Sequence, residues 1–289
     1  MEKMRVVIIS FDALEPELVD RYNCRGIKQK EHGIVDLETS YLRGRPKGYG
    51  SGNPNTTEVY ATFMTGIVPK KPYREFIPTF DRNNGTPTIF SFTDKVICSS
   101  IPAAPLRRLG VIELYAGNKT FGKYFDKELN LKKAERIFYT YMAALSAISD
   151  AIALSDKELI FLYFSEPDKL QHIYMDITKN EAKYKRLYSF LEERTREMIE
   201  AFDDGKTLII VHSDHGVNMK GCHSHHGFWS SNMPLDEGTN IDLLRWYHII
   251  KKWLEKDPDT LEIDSDEIDF TEEEKATVRE NLEKLGYFG

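Results

Sequence analysis

Near-continuous apolar runs punctuate the chain at RVVIIS (5–10), LIFLYF (159–164) and LIIVHS (208–213). Runs that do not alternate with polar residues predict strands buried on both faces, here over about 4–10, 158–164 and 206–212. GIVDLET (33–39) predicts a further strand, and Val96–Ser100 is another short apolar run. Helical patterns lie between them: about 15–22, opened by Pro16, then 57–65 after a Gly/Pro/Asn loop (44–55), 127–154 and 179–203. From about 238 the pattern becomes helical, with IDLLRWYHIIKKWLEK amphipathic. An acidic loop (257–269) follows, then a helix opened by Thr271 with Glu274 three residues on, a capping-box pattern. Strands alternating with helices predict an α/β fold, a doubly wound and mostly parallel sheet flanked by helices. No internal repeat is visible. The expectation is one domain over 1–289, with 67–157 long enough for a small cap and 238–289 as a helical extension packed on the core.

Composition narrows the classes without choosing one. A chain of 289 residues, 41% hydrophobic and 29% charged, can bury a substantial core. A net charge of −7 and a pI near 5.7 argue against wholesale binding to nucleic acid or an anionic membrane. Basic islands at LRGRPKG (42–48) and KKPYR (70–74) interrupt that acidity. Cys24, Cys98 and Cys222 are widely spaced and odd in number, so neither a disulfide framework nor a cysteine zinc cluster is expected. The charged start leads straight into a strand and no apolar run reaches the roughly 18 residues of a membrane span. A cytoplasmic protein is expected.

The chemistry concentrates at the ends of the apolar runs. Asp12 follows the first, Asp168 follows the second with His172 four residues on, and Asp214–His215 follows the third. Loops at the carboxyl ends of parallel strands open on one crevice, so these residues should meet there. Asp168 and His172 at i, i+4 share one face of a helix beginning near Pro167. Five of the eight histidines fall between 212 and 226, with His223, His225 and His226 the densest group. Carboxylate oxygen with imidazole nitrogen suits zinc, manganese or iron, and the set is large enough for two divalent ions. Each segment alone has an ordinary reading, as a capped strand end or a solvated loop; the set as a whole points to a metallohydrolase. Thr56 and Thr57 open a helix whose first N–H groups can hold an anion, and a hydroxyl there can attack phosphorus when a metal lowers its pKa.

Together these residues resemble the alkaline phosphatase superfamily, in its type I phosphodiesterase/nucleotide pyrophosphatase branch. FSEPDKLQH (164–172) is similar to the family's Glu-Pro-Asp…His segment, and IIVHSDHG (209–216) to its Ser-Asp-His-Gly segment. Counting nine residues back from Thr65–Gly66 gives Thr56 as the family's nucleophile, with Thr57 the alternative. His223 four residues before Gly227 matches the family's last histidine, with His225 and His226 still open. The ending VRENLEKLGYFG is similar to the branch's C-terminal helix.

The resemblance implies an alkaline-phosphatase-like fold and two divalent ions, zinc or alternatively manganese. Asp168, His172 and His223 would hold one; Asp12, Asp214, His215 and the Thr56 oxygen would hold the other. The implied activity is hydrolysis of a small phosphodiester or nucleotide through a covalent phosphothreonine. Thr57, Glu58, Val59 and Tyr60 depart from the Pro and Asn or aromatic residues usual after the nucleophile, and PKKPYREF replaces a downstream Pro…His-Gly element. These departures leave the substrate open. Arg43, Arg45, Lys70 and Lys71 could supply anion contacts in place of the missing ones. A sulfatase is disfavoured because its nucleophile is made from Cys or Ser. The alternatives are a phosphomonoesterase or phosphomutase of the same superfamily, and a non-catalytic binding protein that keeps the scaffold.

Overall fold

The computed structural model describes residues 4–44, 53–68, 87–99, 111–114 and 131–255. In chain order its elements are β1 (Val6–Phe11), α1 (Pro16–Arg21), β2 (Glu31–Asp36), a π-helical turn (Glu38–Leu42) and α2 (Thr56–Thr65). A 3-10 turn (Ile89–Ser91), β3 (Val96–Ser99), β4 (Val111–Leu114), α3 (Leu131–Ala153), β5 (Leu159–Phe164) and α4 (Glu166–Tyr174) follow. The last are α5 (Glu181–Phe202), β6 (Leu208–Ser213), β7 (His226–Ser231), β8 (Asn240–Asp242) and α6 (Arg245–Leu254).

The strands form one sheet in the order β4-β3-β5-β1-β6-β7-β2-β8. From β4 to β6 every pairing is parallel; β7 runs antiparallel to both β6 and β2, and β8 is parallel to β2. The expected doubly wound, mostly parallel sheet is what the chain builds. Phe11 pairs with Phe164 on one side and Ser213 on the other, so β5, β1 and β6 end abreast. That register brings Asp12, Asp168 and Asp214 to one rim.

Burial on both faces explains the apolar runs. On one face Val7, Ile9, Phe11, Ile160, Leu162, Ile209 and Val211 pack against Phe138 and Met142 of α3 and Leu187 and Leu191 of α5. Alternate residues turn to the other face, where aromatic rings gather near the strand ends. There Phe161, Tyr163 and His212 meet Tyr60 and Phe63 of α2 and Trp246 of α6. Two layers of helix thus cover both faces of these strands, so the apolar–polar alternation of a half-exposed sheet is absent.

Four strands differ from the sequence reading. β4 was not expected. HGFWSS (226–231) reads as polar, yet all but its first residue are buried, because Ser230 and Ser231 donate to the Ile27 and Met233 carbonyls. The helix expected from 238 is preceded by β8; the Asp242 carboxylate accepts from the Leu244 N–H, a local bond that separates the strand from α6. β2 stops at Asp36 rather than 39, where the Asp36 carboxylate accepts from the Glu38 N–H and starts the π-helical turn.

The chain divides into two compact units, Met1–Pro258 and Asp259–Gly289. The Thr271 capping box and the expected C-terminal helix lie outside the described residues, as do 69–86, 100–110 and 115–130 of the region 67–157. Among the described residues no helix is long and apolar enough to cross a membrane.

Candidate metal centre

Asp12, the residue after β1, is held by its own N–H, which donates to the Phe164 carbonyl at 2.9 Å. Tyr163, from the last turn of pleat in β5, donates its hydroxyl to Asp12 Oδ2 at 2.7 Å. That leaves Asp12 Oδ1 directed at His215 Nε2, 3.3 Å away. His215 Nε2 is also 3.3 Å from Asp214 Oδ2. Thr56 enters from the first turn of α2, where Asn55 caps the helix by accepting from the Glu58 N–H. Its Oγ1 lies 3.4 Å from Asp12 Oδ1 and 3.3 Å from His215 Nε2. Thr57, next along the helix, makes no recorded hydrogen bond to these groups.

A second cluster stands beside the first. Pro167 opens α4, and the i, i+4 pair Asp168 and His172 meet at 3.2 Å between Oδ1 and Nε2. His223 Nε2 lies 3.4 Å from Asp168 Oδ1 and 3.1 Å from His172 Nε2. The other two candidates for the last histidine turn elsewhere: His225 pairs with Glu38 at 3.1 Å and His226 with Glu15 at 3.4 Å. The two clusters touch through their histidines, since the His215 and His223 rings stack with centroids 3.8 Å apart.

These contacts run longer than charge-assisted hydrogen bonds and match the spacing of ligand atoms around one ion. A carboxylate bonded to a charged imidazole should sit at about 2.7–2.9 Å. A tetrahedral ion with bonds of about 2.0–2.1 Å instead sets its ligand atoms about 3.3–3.4 Å apart. The imidazole tautomers agree. His215 Nδ1 faces the Gly216 carbonyl and His223 Nδ1 the Pro54 carbonyl, each at 3.0 Å. A proton held on Nδ1 by those carbonyls leaves the Nε2 lone pair for a cation. Asp214 Oδ2 is fully buried and accepts no hydrogen bond. Asp12, Asp214 and His215 form one group able to hold an ion, and Asp168, His215 and His223 another. The residues therefore fit divalent metals, and His172 joins the second group by its contacts with Asp168 and His223.

The electrostatics describe a site that holds protons when no cation is there. Burial, then the Asp12 charge, push the Asp214 carboxyl well above its usual range. Burial alone would depress His215, but the Asp214 and Asp12 carboxylates outweigh it and raise the imidazole to about 10. Burial also opposes ionisation of Asp168, yet hydrogen bonds from His172 and His223 hold its carboxyl below the ordinary carboxylate value.

Glu15, Tyr163 and Gln171 were not singled out in the sequence. Glu15 sits where a helix start was expected, and Tyr163 lies inside an apolar run. Gln171 is buried and donates to the Ala13 carbonyl at 2.7 Å, tying α4 to the Asp12 loop. Ala13 itself has φ 64°, and its N–H donates to Asp214 Oδ1 at 3.3 Å. Gly227 is required by packing: a Cβ there would lie 2.2 Å from the Ser213 carbonyl oxygen. Of the basic candidates, Arg43 is exposed near Asp36, and Arg45, Lys70 and Lys71 lie outside the described residues.

The family model for type I phosphodiesterase / nucleotide pyrophosphatase matches residues 91–287, more than half of the chain. The matched stretch contains Asp168, His172, Asp214, His215 and His223; Asp12 and Thr56 precede it. Among solved structures, the alkaline phosphatase from the Antarctic bacterium TAB5 superposes with a TM-score of 0.53 at 12% identity. That likeness covers 88% of this chain and 99% of the other. The 2-O GAG sulfatase BT1596 gives a TM-score of 0.51 at 12% identity over 84% of this chain and 68% of its own. Both likenesses bear on the fold, which is alkaline-phosphatase-like. No curated protein matches the chain.

Proposed function

Because the chain belongs to the type I phosphodiesterase/nucleotide pyrophosphatase family, we propose that it is a two-metal hydrolase of phosphate esters acting through a covalent phosphothreonine on Thr56. Family and fold together support a phosphoester hydrolase; the metals, the nucleophile and the substrate are our reading. The observation that carries it is the 3.1–3.4 Å spacing of converging oxygen and nitrogen atoms in the two clusters.

In this reading Asp168, His172 and His223 hold one ion, and Asp12, Asp214, His215 and Thr56 hold the other. When bound, two divalent ions, zinc or alternatively manganese, lower the pKa of the Thr56 hydroxyl and stabilise charge on the phosphoryl and leaving oxygens. Three carboxylates and one alkoxide bring about four negative charges against two divalent cations, leaving a site that can accept an anionic phosphate. Thr56 Oγ1 attacks phosphorus, its bond to phosphorus forms, and the bond to the leaving oxygen breaks. The leaving oxygen departs and takes up a proton. Water then attacks the phosphothreonine, phosphate or a phosphomonoester is released, and the Thr56 hydroxyl is restored. Asn55 supports the nucleophile by capping α2, which fixes the helix start that carries it.

The substrate class is a small phosphodiester or a nucleotide; phosphomonoesters are the second choice. A metal-replete screen across aryl phosphodiesters, nucleotides, phosphomonoesters and sulfate esters tests this, with metal content measured in parallel. Fastest turnover on phosphodiesters or nucleotides is expected. Fewer than one ion per chain after reconstitution, with no turnover, would replace this reading with that of a non-catalytic binding protein.

A further inference from the structure

We propose that Glu15 is a positioning residue that clasps the loop between the two clusters and thereby completes the Asp168–His172–His223 site. The proposal rests on the two-metal reading above.

The loop from Gly216 to Ser224 is a narrow hairpin. Val217 and His223 bridge across it, the Asn218 N–H donates to the Cys222 carbonyl, and the Ser224 N–H donates to the Gly216 carbonyl. His215 stands just before this hairpin and His223 near its far end. The hairpin therefore decides whether the histidines of the two clusters meet. Glu15 grips both limbs at the neck: its Oε2 accepts from the Val217 N–H and from the Ser224 hydroxyl, each at 2.9 Å. Its Oε1 faces His226 Nε2 at 3.4 Å and accepts from the Glu17 N–H at 3.3 Å.

The carboxylate is almost wholly buried, with 4% of the side chain exposed. A buried charge is costly unless it is saturated with partners, and these four contacts saturate it. Helix capping alone does not account for the choice of residue. Capping of α1 uses one oxygen, and Asp, Asn, Ser or Thr serve that role better. The longer glutamate reaches the hairpin. Gly216 makes room for it, since a Cβ at that position would lie 2.2 Å from Glu15 Oε2. Glu15 is itself anchored. Its N–H donates to the Tyr188 hydroxyl on α5, and the preceding Leu14 N–H donates to Ser213 Oγ at the end of β6. The clasp thus ties the hairpin to the same loop that carries Asp12.

The test is zinc and cobalt titration of the stripped full-length protein, read by calorimetry and by the cobalt absorption spectrum. Wild type should bind two ions; binding fewer than one would overturn the two-metal reading itself, independently of Glu15. Glu15→Ala should weaken one ion by roughly 10–100-fold, the usual effect of removing a group that orients metal ligands, and change the other less than about twofold. Its cobalt spectrum should change for the weakened ion alone, and His223→Ala should weaken that same ion. Glu15→Gln keeps the acceptor oxygen and should recover most of the loss. Ser224→Ala, which removes the hydroxyl held by Glu15 and close to the His226 carbonyl, should shift the same ion in the same direction and decides the matter if Glu15→Ala does not fold. Wild-type affinity at both sites in Glu15→Ala and Ser224→Ala overturns the proposal, even if the stripped variants melt earlier, because that pattern is a structural clasp only.

Discussion

The His215 and His223 rings stack at 3.8 Å with 21° between their planes, although each belongs to a different cluster. Their surroundings are unequal. The side chains of Asp12, Asp214 and His215 are 7%, 0% and 0% exposed, whereas His172 and His223 are 45% and 22% exposed. On the two-metal reading, the outer ion should leave first. A chelator added to the loaded protein should release metal in two phases of equal amplitude, the faster from the Asp168 site. His172→Ala should abolish the fast phase and leave the slow one. Release of both ions in one phase would mean that the stack couples the sites into one cooperative unit.

Thr56 and Thr57 are adjacent in sequence, but only Thr56 contacts both Asp12 and His215. Thr56→Ala should lower kcat on an aryl phosphodiester by on the order of 10³-fold or more, the scale seen when an attacking nucleophile is removed. Metal content should stay near wild type, because Asp12, Asp214 and His215 remain. Thr57→Ala should stay within a few-fold. Full activity in Thr56→Ala would transfer the role to Thr57, and trapping of a phosphorylated peptide would then locate the acceptor.

Much of this arrangement could be read from the chain, for physical reasons. β1, β5 and β6 are covered on both faces, so their apolar runs are unbroken and the residue that ends each run stands out. Asp12 and Asp214 are such residues. Asp168 and His172 were visible because helical spacing places them together once Pro167 opens α4. β7 was hidden because Phe228 and Trp229 stand among Gly227, Ser230 and Ser231, and the serine hydroxyls are satisfied only by partners such as the Ile27 carbonyl. The preference for His223 over His225 and His226 came from its spacing to Gly227; the Glu38 and Glu15 contacts of the other two rings lie far away in sequence and could not be read there. Glu15 itself carried no signal: before a proline at a helix start, an acidic residue is what the helix dipole alone would favour.

Tyr163 controls one carboxylate from beneath. Its hydroxyl donates to Asp12 Oδ2, and burial together with the Asp12 charge pushes the phenol well above its ordinary value, so it stays a donor. Tyr163→Phe should weaken the ion at the Asp12 site by about 10–100-fold, as loss of an orienting hydrogen bond does. The Asp168 site, to which Tyr163 makes no recorded bond, should change little. Competitive titration against a zinc-sensitive dye would measure both affinities, and equal losses at the two sites would point to general loosening of β5 instead.

Protonation of the inner cluster predicts how pH and metal act together on stability. In the stripped protein His215 titrates near 10, above the roughly 6.5 of an unfolded histidine. Its contribution to stability is therefore complete below about pH 6.5 and is lost as pH rises toward 10. Asp214, raised by burial and by Asp12, acts in the same direction: its contribution fades once pH exceeds the unfolded carboxylate value of about 3.9 and is lost as pH rises through its folded value. A bound cation takes the place of those protons, so binding releases them and strengthens as pH rises. The stripped protein should thus lose stability between about pH 6.5 and 10, while the loaded protein loses less. The gap in Tm between loaded and chelator-treated samples should widen from pH 6 to pH 9 at fixed free metal. Scanning calorimetry across that range checks it, and a gap that stays constant or narrows would mean that the cation does not displace protons from His215 and Asp214.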